Sequence, residues 1–510
     1  MNRLEPAHIA VVTALAIVLG VPFLFRPEAA RPEPGTKRII IITPHNEQIR
    51  HEFSVAFSIW HEKHYGEPVI VDWRTPGGTS EIRKQLTAEY QSAARQGQLA
   101  TMSYDLLFGG GSYEHNQVAR KQTFIDDEGV EGTYTISEAL GEDVLDQATL
   151  DQWYGENLIG RNTLYDPGRH WFGTALSAFG IVFNRDCLRS LEVEQISTWE
   201  HLTNPALQGW VALADPGQSG SICTTFEVIL NRLGWERGWK VLREAAANSR
   251  YFSNSSSKVP IDVGMGEAAA GMCIDFYGRY QSQTITDAGG GDRVGYVDPR
   301  DITDIDPDPI SLLTGAPNRE LAIRFIDFCL TDYAQSLWQF PARESRDGET
   351  AAGVVDEAGL PLGPEQFELR RMPARRSMYP RYQEYFRDQV NPFDLATPFE
   401  NWNSQMRRFI APLFSAMAID NHEYLQEAWL ALQEAEPGSS AYQEMYELLH
   451  RMPVVQLADG TEVDMATTEG LEAMKARWKS DAISRDRDRI AWTVFSGRTI
   501  ATSCRSVKSR

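Results

Sequence analysis

From Lys37 onward, short apolar runs alternate with stretches whose apolar residues recur every three or four positions. That alternation predicts an α/β domain built on a largely parallel sheet. RIIIIT (Arg38 to Thr43) is an unbroken apolar run and reads as a first, buried strand. In the next stretch Ile49, Phe53, Phe57 and Trp60 fall at near-helical spacing, predicting an amphipathic helix that starts at Asn46 or Pro44. EPVIVDWR is a second strand, PGGTSEIRKQL turns from glycines into a helix, and YDLLFGGGSYEH is a third strand ending in three glycines. WFGTALSAFGIVFNRD (Trp171 to Asp186) reads as a long strand pair, followed by a second α/β unit over 185–297 in which Gly271 to Phe276 form a strand. PDPISLL and PNRELAIRFIDFCLTDYAQSLW supply one more strand and helix. Beyond about 365, positions such as Phe409, Leu413, Met417, Tyr424, Trp429 and Leu432 keep helical spacing and no strand alternation persists. This gives four segments: 1–36, 37–184 with a return segment 298–364, 185–297, and a helical region 365–510.

The first segment changes the expected location. Ile9 to Phe25 is a 17-residue apolar run preceded by Arg3 and followed by RPEAARPEPGTKR. As a helix it would reach ~26 Å, short for a bilayer core of about 30 Å and long for a signal-peptide core. It contains no cysteine for lipid attachment, and Ala29 and Ala30 are its small-residue cleavage candidates. The segment is read as a signal peptide or an uncleaved anchor, which places the rest of the chain in the periplasm or otherwise outside the cytoplasmic membrane.

Composition narrows the partners. With 510 residues, 42% hydrophobic and 23% charged, the chain folds in water as two or three globular units. A formal charge of −21 opposes a broad nucleic-acid footprint. The five cysteines are scattered and odd in number, and read as small buried thiols rather than as a disulfide framework or zinc site.

Three turns carry the candidate chemistry: Gly77-Gly78-Thr79-Ser80, Gly109-Gly110-Gly111-Ser112, and Gly217-Gln218-Ser219-Gly220-Ser221. Each follows a predicted strand and opens a predicted helix, where unpaired N–H groups and the helix dipole favour anionic or electron-rich ligands. Any one of them could be a plain helix cap; three at the carboxyl edge of successive strands point to a ligand cradle. P-loop, nucleophile-elbow and H-E-x-x-H motifs do not occur, and HEKH (His61 to His64) lacks the spacing of a zinc helix. His45 lies just after the first strand, and Asp275 and Tyr277 lie at the corresponding edge of the second unit, so the three could close a metal site across a cleft. Asp304, Asp306 and Asp308 read either as solvated turn residues or as carboxylates of a secreted or anchored hydrolase.

At TPHNEQIRHEFSVAFSIW, GGTSEI, DLLFGGG, TWEHLTNPALQGWVALADP, GEAAAGMCIDFYGRY and DPDPISLLTGAPNRELAIRFIDFCLTDYAQSLW the sequence resembles periplasmic solute-binding proteins of ABC transporters, of type II architecture and in the iron(III)-binding branch. The likeness runs from about Arg38 to Trp338. It implies two α/β lobes joined by hinge strands near Trp171 to Asn184, with a helical C-terminal extension, and a receptor without catalytic residues that captures a solute by hinge closure and presents it to ABC permease subunits as a monomer. The implied ligand residues are His45, Gly78, Thr79, Ser80, Gly110, Gly111, Ser112, Ser177, Ser219, Ser221, Asp275 and Tyr277. His45 matches an early histidine of some iron-binding members, and their metal motif falls on Asp275-Phe276-Tyr277, with Phe in place of one tyrosinate. No cofactor is required; iron(III), as cargo, stands beside an oxyanion or a small organic ligand. An anchored sensory protein that borrowed the fold is the remaining alternative.

Overall fold

The computed structural model describes residues 36–346, 350–399, 401–457, 460–481 and 483–508, together with Leu15. The apolar segment Ile9 to Phe25 otherwise lies outside the described residues, and among these no helix is long and apolar enough to cross a membrane.

The chain opens as β1 (Lys37–Ile42), β2 (Val69–Arg74) and β3 (Leu106–Phe108), joined by α1 (Glu47–Tyr65) and α2 (Thr79–Arg95). Both neighbours of β1 run parallel to it. Buried on both faces, β1 needs the continuous isoleucine run. Asn46 caps α1 by accepting from the Ile49 N–H at 3.1 Å, and Gly66 ends it in the left-handed conformation. A short helix, α3 (Ser112–Val118), follows β3. Then β4 (Phe172–Ser177) completes the chain's first visit to this lobe, and after Ala178 alone β5 (Phe179–Asn184) begins a second sheet. The predicted strand pair is thus one strand for each lobe.

The second lobe adds β6 (Val211–Ala214), α4 (Gly220–Leu233), α5 (Trp235–Ala247), β7 (Ser249–Ser253), α6 (Lys258–Met265), β8 (Ala270–Ile274), α7 (Asp275–Ile285) and β9 (Val294–Val297). Its sheet order is β9-β5-β8-β6-β7. The chain returns through residues 298–305 to β10 (Asp306–Leu312), which pairs antiparallel with both β3 and β4 in the first sheet. After α8 (Arg319–Cys329) a two-residue strand, β11 (Met372–Pro373), finishes that sheet in the order β11-β4-β10-β3-β1-β2. The two passages lie side by side: Phe179 N–H donates to Thr303 Oγ1 at 3.2 Å, and that hydroxyl donates back to Phe179 O at 2.7 Å.

The region beyond 365 is divided between the lobes. Leu369, Met372, Tyr379 and Phe386 join the first core with Phe53, Phe57, Phe328 and Trp338. From about 402 the chain belongs to the second lobe: α9 (Arg407–Phe414), α10 (His422–Glu434), α11 (Ser440–His450) and α12 (Ser484–Lys508) bury Phe409, Leu413, Trp429 and Trp492 against Phe226 and Trp239. Tyr424, expected on the buried stripe, faces solvent. A small hairpin, Val454–Gln456 with Glu462–Asp464, interrupts the helices. Cys223, Cys273 and Cys329 are buried free thiols and Cys187 is half-buried.

Candidate functional site

A cleft lies between the lobes, lined from the first by His45, Gly78, Thr79, Gly110, Gly111 and Ser177 and from the second by Ser219, Ser221 and Tyr277. Nine of the twelve sequence-derived residues therefore share one hollow. Ser80, Ser112 and Asp275 do not line it. Ser80 Oγ donates to Glu114 Oε1 at 3.1 Å, behind the start of α2. Ser112 is taken up by Asp306, its N–H and hydroxyl donating to the carboxylate at 3.1 and 2.5 Å. Asp275 opens α7 and is fully buried.

The three turns differ in what their N–H groups face. Gly109, Gly110 and Gly111 all have positive φ (87°, 118° and 81°), a conformation open to glycine with little strain. The turn so formed closes on an internal anion: Gly110 and Gly111 donate to Asp308 Oδ1 at 2.7 and 3.3 Å. The cradle read as a ligand site in sequence is occupied by the protein's own β10. The other two turns remain open to the cleft. The N-termini of α2 and α4 approach from opposite lobes, so closely that a methyl group on Gly220 would come within 2.2 Å of Thr79 Oγ1. That Thr79 hydroxyl is buried and has no hydrogen-bond partner. Across from it Ser219, Ser221 and Ser256 form a hydroxyl chain, with Oγ to Oγ distances of 3.2 and 2.8 Å.

Sequence reading missed Arg371. It sits one residue before β11, far down the chain, and no local motif marks it. Its guanidinium lines the cleft, ion-pairs with Asp308, donates to Ser177 Oγ at 2.7 Å, lies 3.1 Å from His45 Nε2 and stacks 4.3 Å from the Phe276 ring centroid. His45 Nε2 is also 2.8 Å from Asp308 Oδ2. Burial lowers the His45 pKa and outweighs the pull of Asp308, so the ring is neutral at pH 7. Burial alone would raise Asp308, but Arg371, His45 and the Gly110 N–H outweigh it and hold the carboxyl well below its usual range. One anion, one cation and a neutral imidazole make a charge-compensated buried set in which His45 Nδ1 and Arg371 Nε keep no hydrogen-bond partner.

Of the expected metal set, His45 and Tyr277 line the cleft and Asp275 does not. His45 Nε2 is committed to Asp308 with a guanidinium beside it, and that cation repels a second one. Asp275 does not line the cleft, and burial pushes the Tyr277 phenol up to about 12. Among the described residues no group of three His, Cys, Asp or Glu side chains could hold a metal ion. The aspartates of the return strand are not solvated either. Asp304, Asp306 and Asp308 are all buried. Asp304 pairs with Arg161 at 2.8 Å, and all three are committed to partners within the protein.

Asp275 supplies a pH prediction. One carboxylate oxygen accepts from the Phe276 N–H at 2.8 Å and the other has no partner. Burial, only partly opposed by Arg279, raises its pKa to about 7. Between an unfolded value of about 4 and that folded value the native state holds a proton that the unfolded chain releases, so this group makes stability fall as pH rises. Asp275→Asn is expected to flatten the pH dependence of the urea midpoint across that window; an unchanged slope contradicts the assignment.

Residues 133–345 match the family model described as bacterial extracellular solute-binding protein. Among curated proteins, the phosphoglycerate transport regulatory protein PgtC of Salmonella typhimurium is 29% identical over 103 residues, 20% of this chain and 26% of PgtC. Iron uptake protein A1 of Synechocystis is 25% identical over 203 residues, 38% of this chain and 53% of that protein. The chain thus aligns with about a quarter of the first relative's length and half of the second's. Among solved structures, the periplasmic binding protein AfuA from Actinobacillus pleuropneumoniae, with fructose-6-phosphate bound, superposes with a TM-score of 0.51 at 16% identity, covering 75% of this chain and 99% of AfuA. With its paired sheets, double crossing and interlobe cleft, the chain has the two-lobe type II fold of periplasmic binding proteins, and its residues 133–345 match the model of the bacterial extracellular solute-binding family.

Proposed function

We propose that this protein is an extracytoplasmic receptor of an ABC-type import system whose cleft takes a small oxyanion-bearing solute, of the phosphorylated sugar or acid class, and hands it to membrane permease subunits. One observation carries this reading: the starts of α2 and α4 open onto the same hollow from opposite lobes, beside Arg371 and a hydroxyl chain. The first N–H groups of a helix have no intrahelical acceptor and sit at the positive end of its dipole, so two such ends facing each other favour an anion. The aromatic faces of Phe179, Phe276 and Tyr277 in the same lining suit a carbon skeleton. PgtC is named for phosphoglycerate transport and AfuA binds fructose-6-phosphate, which supports the same ligand class. Iron(III) is disfavoured because the Arg371 guanidinium lies against His45 and Asp308 and repels a second cation.

Residues proposed to touch the solute are Thr79, Ser219, Ser221, Arg371 and Tyr277, with Gly78 and Gly220 giving backbone approach. The receptor acts without catalysis, as a monomer, and residues 9–25 export or tether it. The test is calorimetric titration of the purified protein with hexose 6-phosphates, phosphoglycerates, inorganic phosphate and ferric citrate. A ligand at 100 times its dissociation constant adds about 2.7 kcal/mol of stability, which a melting scan reads directly. Stabilisation by phosphate esters with the compound recovered intact supports the reading. Stabilisation by iron alone, or turnover of the ester, overturns it.

A further inference from the structure

Beside the cleft, a second hollow opens between the first lobe, the Asp215–Gly217 turn of the second lobe and the C-terminal helices. Six cations line it, in pairs from three elements: Arg83 and Lys84 on α2, Arg407 and Arg408 on α9, Arg485 and Arg489 on α12. Glu114, Asp215 and Asp486 are the acids of the same lining, and Glu227 and Asp420 pair with two of the cations from outside it, in a chain whose net charge is −21. Composition therefore does not account for the cluster.

The six fall into two sets. Arg83 pairs with Glu114, Arg407 with Glu227 at 2.8 Å and Arg489 with Asp420 at 2.8 Å, so these three are anchored within the protein. Arg407 also ties the walls together: it is buried, bonds Thr224 Oγ1 of α4 at 2.9 Å and stacks 3.9 Å from the ring centroid of Tyr113 on α3. The hollow is therefore held in shape without an occupant. Lys84, Arg408 and Arg485 are exposed and pair with no carboxylate among the described residues. Arg408 donates to Gln405 at 2.6 Å, and Arg485 lies 5.5 Å from the Trp478 ring centroid. Three unpaired cations from separate elements repel one another, and an anion placed between them relieves that repulsion.

We propose that this basic hollow is a second binding site, distinct from the solute cleft, for a small anion carrying three or more negative charges, of the polyphosphate or tricarboxylate class. Two of its three cationic walls come from the C-terminal extension, so its occupant bridges that extension to the first lobe.

The full chain is titrated calorimetrically with tripolyphosphate and, separately, with citrate, at ionic strengths of about 0.01 M and about 0.3 M; the tighter of the two identifies the class. The expected result is one-site binding that weakens at least about tenfold at the higher salt. The triple variant K84A/R408A/R485A is expected to lose at least about tenfold in affinity while its melting temperature holds, because exposed charges contribute little to stability. Ser221→Asp, altered in the cleft alone, retains the binding. The proposal is overturned if neither anion binds at low salt, if the triple variant binds as tightly as the parent, or if Ser221→Asp abolishes binding, which would place the anion in the cleft. Because the readouts use different variants, failure here leaves the cleft reading standing, and the reverse holds too.

Discussion

Asp308→Ala is expected to lower unfolding stability by about 3–5 kcal/mol, the usual cost of breaking a buried ion pair from one side. The substitution strands the buried Arg371 guanidinium beside a neutral imidazole and removes the acceptor of the Gly110 and Gly111 N–H groups. Urea unfolding followed by far-ultraviolet circular dichroism reads the loss. Asp308→Ala combined with Arg371→Met should be more stable than Asp308→Ala alone, since the stranded charge is then gone as well. The parent adds a pH signature. Because the folded pKa of Asp308 lies below its unfolded value, the stability it contributes is complete above about pH 4 and is lost as pH falls further. A loss below about 1 kcal/mol in Asp308→Ala would show that the carboxylate does not organise the turn.

The second large effect is on binding. Ser221→Asp puts a carboxylate in the first turn of α4, where the helix dipole tolerates or favours it, so the fold should be as stable as the parent. The same charge faces the hollow in which the anion is proposed to sit, and affinity for a phosphate ester is expected to fall at least about 100-fold, or about 2.8 kcal/mol. A receptor for iron(III) would respond with the opposite sign, since an added carboxylate strengthens a hard-cation site. Calorimetry with the best phosphate ester and with ferric citrate separates the two; unchanged affinity for the ester would remove α4 from the site.

These effects differ in how far the chain reveals them. The Asn46 cap, the isoleucine strand and the glycines at strand ends are local, and spacing alone places them. The strand pair at Trp171 to Asp186 was legible as extended sequence and the resemblance made it the passage between the lobes; that the division falls at Ala178 came from the structure. The aspartates of the return strand looked like turn residues because alternating Asp and Pro is ordinary turn composition. In the structure Asp306 and Asp308 are buried in β10 and Asp304 just before it, and each meets a donor from elsewhere in the chain. The C-terminal region was readable as helical, but its division between the lobes was not, because an amphipathic helix specifies that it must bury a face and not against which partner.

What the sequence determined by itself is the two α/β units, the helix starts that follow their strands, and the stretch of chain in which the cleft must lie. Tertiary structure decided which of those starts still faces outward. Gly110 lies 198 residues from Asp308, and His45 lies 326 residues from Arg371. Backbone N–H groups at a glycine turn will take any anion of suitable shape, and packing decided that for one turn of the three this anion is the protein's own carboxylate.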